Sequence, residues 1–463
     1  MSNKNLPIFI QERRDGTRRV VPHLLAKAAI DFYHLQIVRE SKSSRARVFA
    51  WYPEGYYQLV GGEVLRALIR DVIYRTDPSL ISFPVIQEAE KLVRESLEDI
   101  KEEELNRYEH LINVENGMVL VTPQCVSLMD HDDSFLSTIQ LPLRFLEEEA
   151  PTPTMDAFLE DLSDGDPEVR QLLWEVVGVI CSNYSIKHFK QCPVLVGKGN
   201  TGKSVFFELM MRMVGERNSS VIDMERLEKK FGTNDLYQKR LCGCADMSCR
   251  EIGELKTFKQ VTGGDPIFAE AKGLPGYSFR YGGMLLYCCN QLPQFGGDHG
   301  EWVYHRFLPI PCDRVIPPEK QNKFLIPMLM EEKDAIFRKG LTALQGVIGR
   351  GFAFTEPAAV RARRNEYRLT DSPCAAFVTE CMAEKGQPGA CRLDYVISQV
   401  YQVYKRWSLD SGINYLSRRL FREGVAEALG TTGSKVLVKK EAGMCFRDRT
   451  LTEEAVRLYL RER

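Results

Sequence analysis

CPVLVGKGNTGKSVFFELMMRMV, residues 192–214, decides the fold. The first five residues form an unbroken apolar run of strand length, and the last eleven carry apolar residues at helical spacing. Between them lies G-x-x-x-x-G-K-S. Strand, glycine-rich turn and helix in that order is what a phosphate-binding loop requires. Gly197, Gly199 and Gly202 let the backbone bend so that its N–H groups, with those of Asn200 and Thr201, point inward at phosphate oxygens, and the helix N-terminus adds positive potential. Lys203 is placed to reach the β- and γ-phosphates of ATP, and the Ser204 hydroxyl to ligate Mg²⁺.

Such a loop needs a carboxylate at the end of a neighbouring strand to hold the magnesium. RLCGCADMS (residues 240–248) supplies one: a buried strand ending at Asp246. A second acid to polarise the attacking water does not follow, because the next residues are Met247 and Ser248. Glu251 and Asp265 are the nearest acids in sequence, and the general base is left open between them.

Around this centre, residues 192–315 alternate short apolar strands with loops and helices, as an α/β sheet does. Upstream, VFAWYPEGYYQLVGGEVLRALIRDVIYR reads as an aromatic hairpin running into an amphipathic helix with apolar Val64, Leu65, Leu68, Ile69, Val72 and Ile73. Asp166-Pro167 caps another helix. Downstream, residues 316–370 are helical and end in the charged run Arg361, Arg363 and Arg364, read as a solvated face. Residues 371–463 have the make-up of a small winged helix. Ser417 caps a helix that carries Arg418, Arg419 and Arg422, Gly430 closes it, and KVLVKKEAGMCFR suits a hairpin with Lys435, Lys439 and Lys440. Basic residues at a helix start plus a basic hairpin suit duplex DNA, and a solvated helical cap is the plain alternative.

Composition narrows the class. At 463 residues the chain exceeds the ~250–300 that one core supports, so several domains are expected. Hydrophobic residues at 44% and charged residues at 27% are ordinary for a globular protein. The 62 basic and 63 acidic residues nearly cancel, so nucleic-acid binding must come from local patches. No apolar run approaches the ~20 residues that span a bilayer, and the start lacks a signal-peptide pattern, which predicts a cytoplasmic protein without a membrane. The 13 cysteines are scattered, several in apparent strands, and read as buried reduced thiols; zinc spacing is absent.

From about residue 110 to the end the chain resembles the superfamily 3 helicases of phages, plasmids and large DNA viruses, the group related to the poxvirus primase-helicase C-terminal half. The matching stretches, in family order, are LINVENGMVLV, VLVGKGNTGKS, KRLCGCAD, FKQVTGGDPIFAEAKG, LLYCCNQLP and HRFLPIP. The resemblance implies an AAA+-like ATPase core (192–370) between a mostly α helicase-associated domain (1–191) and the winged helix (371–463). FKQVTGGDPIFAEAKG is similar to the family's B′ motif, whose hairpin holds single-stranded DNA in a central channel, so Lys272, with Lys259 beside it, is the implied DNA contact. LLYCCNQLP looks like motif C, which makes Asn290 the γ-phosphate sensor. HRFLPIP resembles the segment that carries the arginine finger, which gives Arg306 that role in a neighbouring subunit's site; related sequences often show paired arginines where this chain has His305-Arg306. A finger acting in trans implies a homo-oligomeric ring, expected to be hexameric, on single-stranded and forked DNA. No catalytic acidic pair of a primase precedes the core, so priming is expected from a separate protein. Rival readings are an origin-binding initiator, a DNA-independent P-loop kinase or NTPase, and a nucleic-acid-sensing regulatory ATPase.

Overall fold

Four short segments become parallel strands of one sheet: β1 (Cys192–Val196), β2 (Ser219–Val221), β3 (Leu241–Cys244) and β4 (Met284–Cys289). They lie in the order β2-β3-β4-β1. The register pairs Val194 with Tyr287, Leu241 with Met284 and Ser219 with Leu241, all parallel. Every residue of β1, β3 and β4 is buried, as expected of a parallel sheet covered on both faces. This computed structural model describes residues 7–39, 46–95, 99–247, 252, 255–270, 276–293, 301–411, 415–431, 435–441 and 443–460. It is a mixed α/β structure, and the chain divides into two compact units, 1–248 with 256–290 and 312–357, and 249–255 with 291–311 and 358–463.

In the first unit, α1 (Pro167–Ile180) starts where Asp166 accepts hydrogen bonds from the Glu168 and Val169 amides. It packs along α3 (Lys333–Gly349), with Gly178 against Gly340 so closely that a Cβ on Gly178 would lie 2.1 Å from the Gly340 carbonyl oxygen. Between these in sequence comes α2 (Lys203–Val214), which buries Phe206, Leu209, Met210 and Met213. Arg240, fully buried, ties α1 to the sheet: its guanidinium donates to the carbonyls of Ile180 (3.0 Å), Val179 (2.7 Å), Tyr184 (2.8 Å) and Gly282 (2.7 Å).

The region before residue 192 is more mixed than a mostly α reading allows. Helices Pro22–Tyr33, Gly62–Tyr74 and Phe83–Arg94 surround Leu25, Leu65, Ile69 and Val93. Beside them are a three-stranded antiparallel sheet that includes the expected aromatic hairpin (Arg47–Tyr52 and Tyr56–Val60) and a four-stranded sheet built on Leu111–Val114 and Gly117–Val121. Of the residues read as the apolar stripe, Val64 is instead 43% exposed, because it precedes by one position the face that Leu65 buries.

The second unit has its own core. Helices α4 (Pro373–Cys381), α5 (Ile397–Asp410) and α6 (Arg418–Ala428) close on Phe377, Tyr404, Trp407, Phe421 and Val425, with the Tyr404 and Phe421 rings stacked at 4.4 Å. The hairpin Leu437–Lys440 with Gly443–Phe446 and the pair Met382–Glu384 with Arg449–Leu451 complete it. Among the described residues no helix is long and apolar enough to cross a membrane.

Candidate functional site

β1 delivers the chain into the glycine-rich loop at the carboxyl edge of the sheet. Gly197 must be glycine on steric grounds, since a Cβ there would sit 1.9 Å from the Cys312 carbonyl oxygen. Gly202, at φ +96°, holds the left-handed turn from which α2 starts. Gly199 meets neither demand, with open space around it. Asn200 is also left-handed (φ +60°), and its carbonyl accepts from the Ile316 amide at 2.8 Å. Lys203, the first residue of α2, is 7% exposed and folds back over the loop. Its ammonium donates to the Gly197 carbonyl (2.7 Å), the Thr201 hydroxyl (3.2 Å) and the Lys198 carbonyl. Ser204 stands exposed in the first turn.

Two neighbouring strand ends bring the other polar candidates to this edge. Gly197 donates to the Cys289 carbonyl at 3.2 Å, so Asn290, exposed one residue later at the end of β4, lies beside the loop's entrance. Met247 donates to the Cys288 carbonyl at 2.7 Å, which pins the exposed Asp246 just past β3 on the other side of β4. The loop, Asn290 and Asp246 thus occupy consecutive strand ends, the edge of an open parallel sheet where ligands bind. Beneath the loop, the Cys288 thiol donates to the Lys203 carbonyl at 3.4 Å, and burial pushes it well above the usual thiol range.

Other candidates lie elsewhere. Arg306, half-buried, ends the helix Glu301–Arg306 in the second unit, before the strand Phe307–Pro311. Asp265 is exposed in a turn, its amide bonded to the Gln260 carbonyl at 2.9 Å, and Lys259 is exposed on the helix Lys256–Gly263. Lys272 and Glu251 fall outside the described residues. In the second unit Ser417 accepts from the Leu420 amide (3.4 Å), and Arg418, Arg419, Arg422, Lys435 and Lys439 are exposed. Arg418 and Arg422 line a cavity of about 370 Å³ with Ser398, Gly443 and Met444. Arg419 is paired with Glu423 at 3.2 Å. Lys440 is committed to Asp394, which also holds Lys385 at 2.5 Å, so this lysine braces the hairpin's base.

Two charged residues at or beside this edge carried no sequence signal, because long-range folding alone brings them there. Asp223, past the end of β2, has its carboxylate 3.9 Å from the Cys244 thiol at the end of β3. Arg314, paired with Asp161 at 3.1 Å, belongs to the segment that crosses the loop at Cys312 and Ile316.

A family described as a family of unknown function (DUF5906) matches residues 195–306, which include the loop and both strand ends. No curated protein matches the chain. Among solved structures, the A form apo structure of the NrS-1 C terminal region is similar at 12% identity and a TM-score of 0.50, over 93% of this chain and 99% of that one. The apo structure of NrS-1 C terminal region (305-718) gives 13% identity, the same TM-score and the same coverage. At that identity the likeness is one of fold, and it extends over nearly all of this chain.

Proposed function

We propose that the chain is an ATP-dependent DNA helicase, a magnesium-dependent ATPase that assembles as a ring, expected to be hexameric, and moves on single-stranded DNA during replication of a phage, plasmid or other mobile element. The observation that carries this reading is the loop 197–204 with Lys203 folded onto its carbonyls, flanked by strand ends bearing Asn290 and Asp246. The similarity to the NrS-1 C terminal region, and the family stretches quoted above, support it.

The residues fit ATP with Mg²⁺. The loop's amides and the N-terminus of α2 suit phosphate oxygens, and Ser204 and Asp246 are hard oxygen donors suited to the ion. Bound Mg²⁺ would neutralise charge on the β- and γ-phosphates. Lys203 exchanges neutral carbonyl partners for charged phosphate oxygens, a stronger hydrogen bond. The Asn290 amide orients the attacking water, and Arg306 of an adjacent subunit spreads its planar fork over the transferring phosphoryl group. The exposed arginines of α6 beside a basic hairpin favour a second reading, an origin-binding initiator in which a winged helix grips duplex DNA.

Steady-state ATP hydrolysis with and without single-stranded DNA tests the proposal. The helicase reading expects stimulation by the strand and a loss of about 10²-fold or more in Lys203→Ala, the scale of deleting a main charge-stabilising group. Hydrolysis indifferent to any DNA would move the assignment to a DNA-independent P-loop NTPase.

A further inference from the structure

The glycine-rich loop has two flanks. Asp246 and Asn290 follow β3 and β4, which both lie on one side of β1. The Gly197 amide faces that side, where it donates to the Cys289 carbonyl. Successive residues of a strand present their polar groups to opposite sides, so the Val196 carbonyl faces the other way, and it accepts from the Cys312 amide at 2.8 Å. Further on, the Ile316 amide donates to the Asn200 carbonyl at 2.8 Å, and the Gln321 side chain donates to the Ile316 carbonyl at 3.1 Å. Residues 312–321 are thus fastened along the flank of the loop away from Asp246 and Asn290.

That flank is apolar where it meets water. Val315, beside the bonded Ile316, is 46% exposed, and Phe324 and Met328 are 72% and 40% exposed. Asn322 fixes the turn that carries the last two: its side-chain carbonyl accepts from the Phe324 amide at 2.9 Å, and its side-chain amide meets the Met328 sulfur at 3.3 Å. The helix Leu325–Glu331 then packs on α2, which the loop opens, and on the helix Pro153–Leu162. The latter adjoins the loop as well, since a Cβ on Gly202 would lie 3.0 Å from the Phe158 ring. Arg314 is held by Asp161 of that helix at 3.1 Å. Single exposed apolar side chains are ordinary, but three between residues 315 and 328, on a segment bonded to a ligand loop, make a patch that calls for an occupant.

We propose that this ledge holds the base of the bound nucleotide, with Val315 and Phe324 as its apolar contacts. The inference rests on the ATPase reading and adds which nucleotides the site takes. With the γ-phosphate and magnesium toward Asp246 and Asn290, a triphosphate laid across the loop directs its ribose and base to the opposite flank. Nucleotide sites are mostly apolar around the ring they hold, as this ledge is. Any base can stack on an aromatic side chain, and the bicyclic purines cover more apolar surface than the pyrimidines. The site therefore favours ATP and GTP over UTP and CTP.

Displacement of ATP labelled on its ribose with a methylanthraniloyl group, from the full chain with Mg²⁺, compares ATP, UTP and inorganic tripolyphosphate, which has no base. Circular dichroism melts check the folding of each variant, and sedimentation velocity its assembly. The parent is expected to bind UTP about 3-fold more weakly than ATP, the scale of the apolar surface a smaller ring leaves uncovered. The double variant Val315→Ser with Phe324→Ala should bind ATP about 10-fold more weakly, as loss of one stacked base requires, with tripolyphosphate unchanged. Lys203→Ala should weaken both ligands. Parent affinity for ATP in the double variant, or equal losses for ATP and tripolyphosphate, would overturn the ledge and leave the phosphate loop intact. A parent chain that binds neither the labelled nucleotide nor tripolyphosphate would overturn the ATPase reading and the ledge together. A loss of ATP affinity that only follows a loss of assembly would give the patch to a second copy of the chain and overturn the base site.

Discussion

Lys203 and Arg240 show how differently two buried cations are used. Lys203 rests on neutral loop groups that a phosphate can replace, so Lys203→Ala should abolish hydrolysis while leaving the urea midpoint nearly unchanged. Arg240 satisfies four backbone carbonyls, two of them at the carboxyl end of α1, where a cation also meets the helix dipole favourably. Burial lowers its guanidinium to about 10, so it stays protonated at neutral pH. Arg240→Met removes those donors and strands buried carbonyls, and a stability loss of about 3 kcal/mol or more is expected in urea unfolding. A midpoint equal to the parent's would contradict the bracing role. The sequence marked Lys203 because its neighbours form a local motif. It left Arg240 as the first residue of a strand, since each of its acceptors arrives from a distant part of the chain.

At the scale of elements, signals written within a few residues came through best. Asp166 caps α1, Ser417 caps α6, and the aromatic hairpin runs into its helix as its alternation and spacing imply. The sheets before residue 192 were less legible, because strands of two to six residues carry too short a period. The α1–α3 crossing depends on Gly178 meeting Gly340, so Gly178→Val should lower stability by about 1–3 kcal/mol through overpacking, read as a lower melting temperature. In the second unit, hydrogen bonds from Lys385 and Lys440 hold the Asp394 carboxyl below the usual carboxylate range. Its folded-state value is depressed, so its contribution is present above the unfolded value and is lost as pH falls through the folded one. The parent should therefore lose more thermal stability on acidification than Asp394→Asn, followed by tryptophan fluorescence. Equal acid sensitivity would mean that this bridge contributes nothing.

For the whole molecule, the sheet's carboxyl edge was foreseeable because one strand runs into the glycine-rich loop at Gly197 and two others end in polar residues, Asp246 and Asn290. Assembly is different, since the two faces that a head-to-tail ring would join, the loop at 197–204 and Arg306, lie far apart in the sequence and form no local motif. If Arg306 completes a neighbour's site in a closed ring, hydrolysis per chain should rise with protein concentration. Mixing inactive Lys203→Ala with inactive Arg306→Ala should also restore about a quarter of the sites, those that join an intact loop to an intact arginine across a head-to-tail interface. No recovery on mixing would place Arg306 outside a shared site. Coupling of ATP turnover at 197–204 to strand separation, as proposed, is read on a forked DNA duplex carrying a fluorophore and quencher. The parent is predicted to release the labelled strand only with ATP and Mg²⁺, and Lys203→Ala to release none; strand release without ATP, or ATP hydrolysis on the fork without any release, would contradict the helicase account.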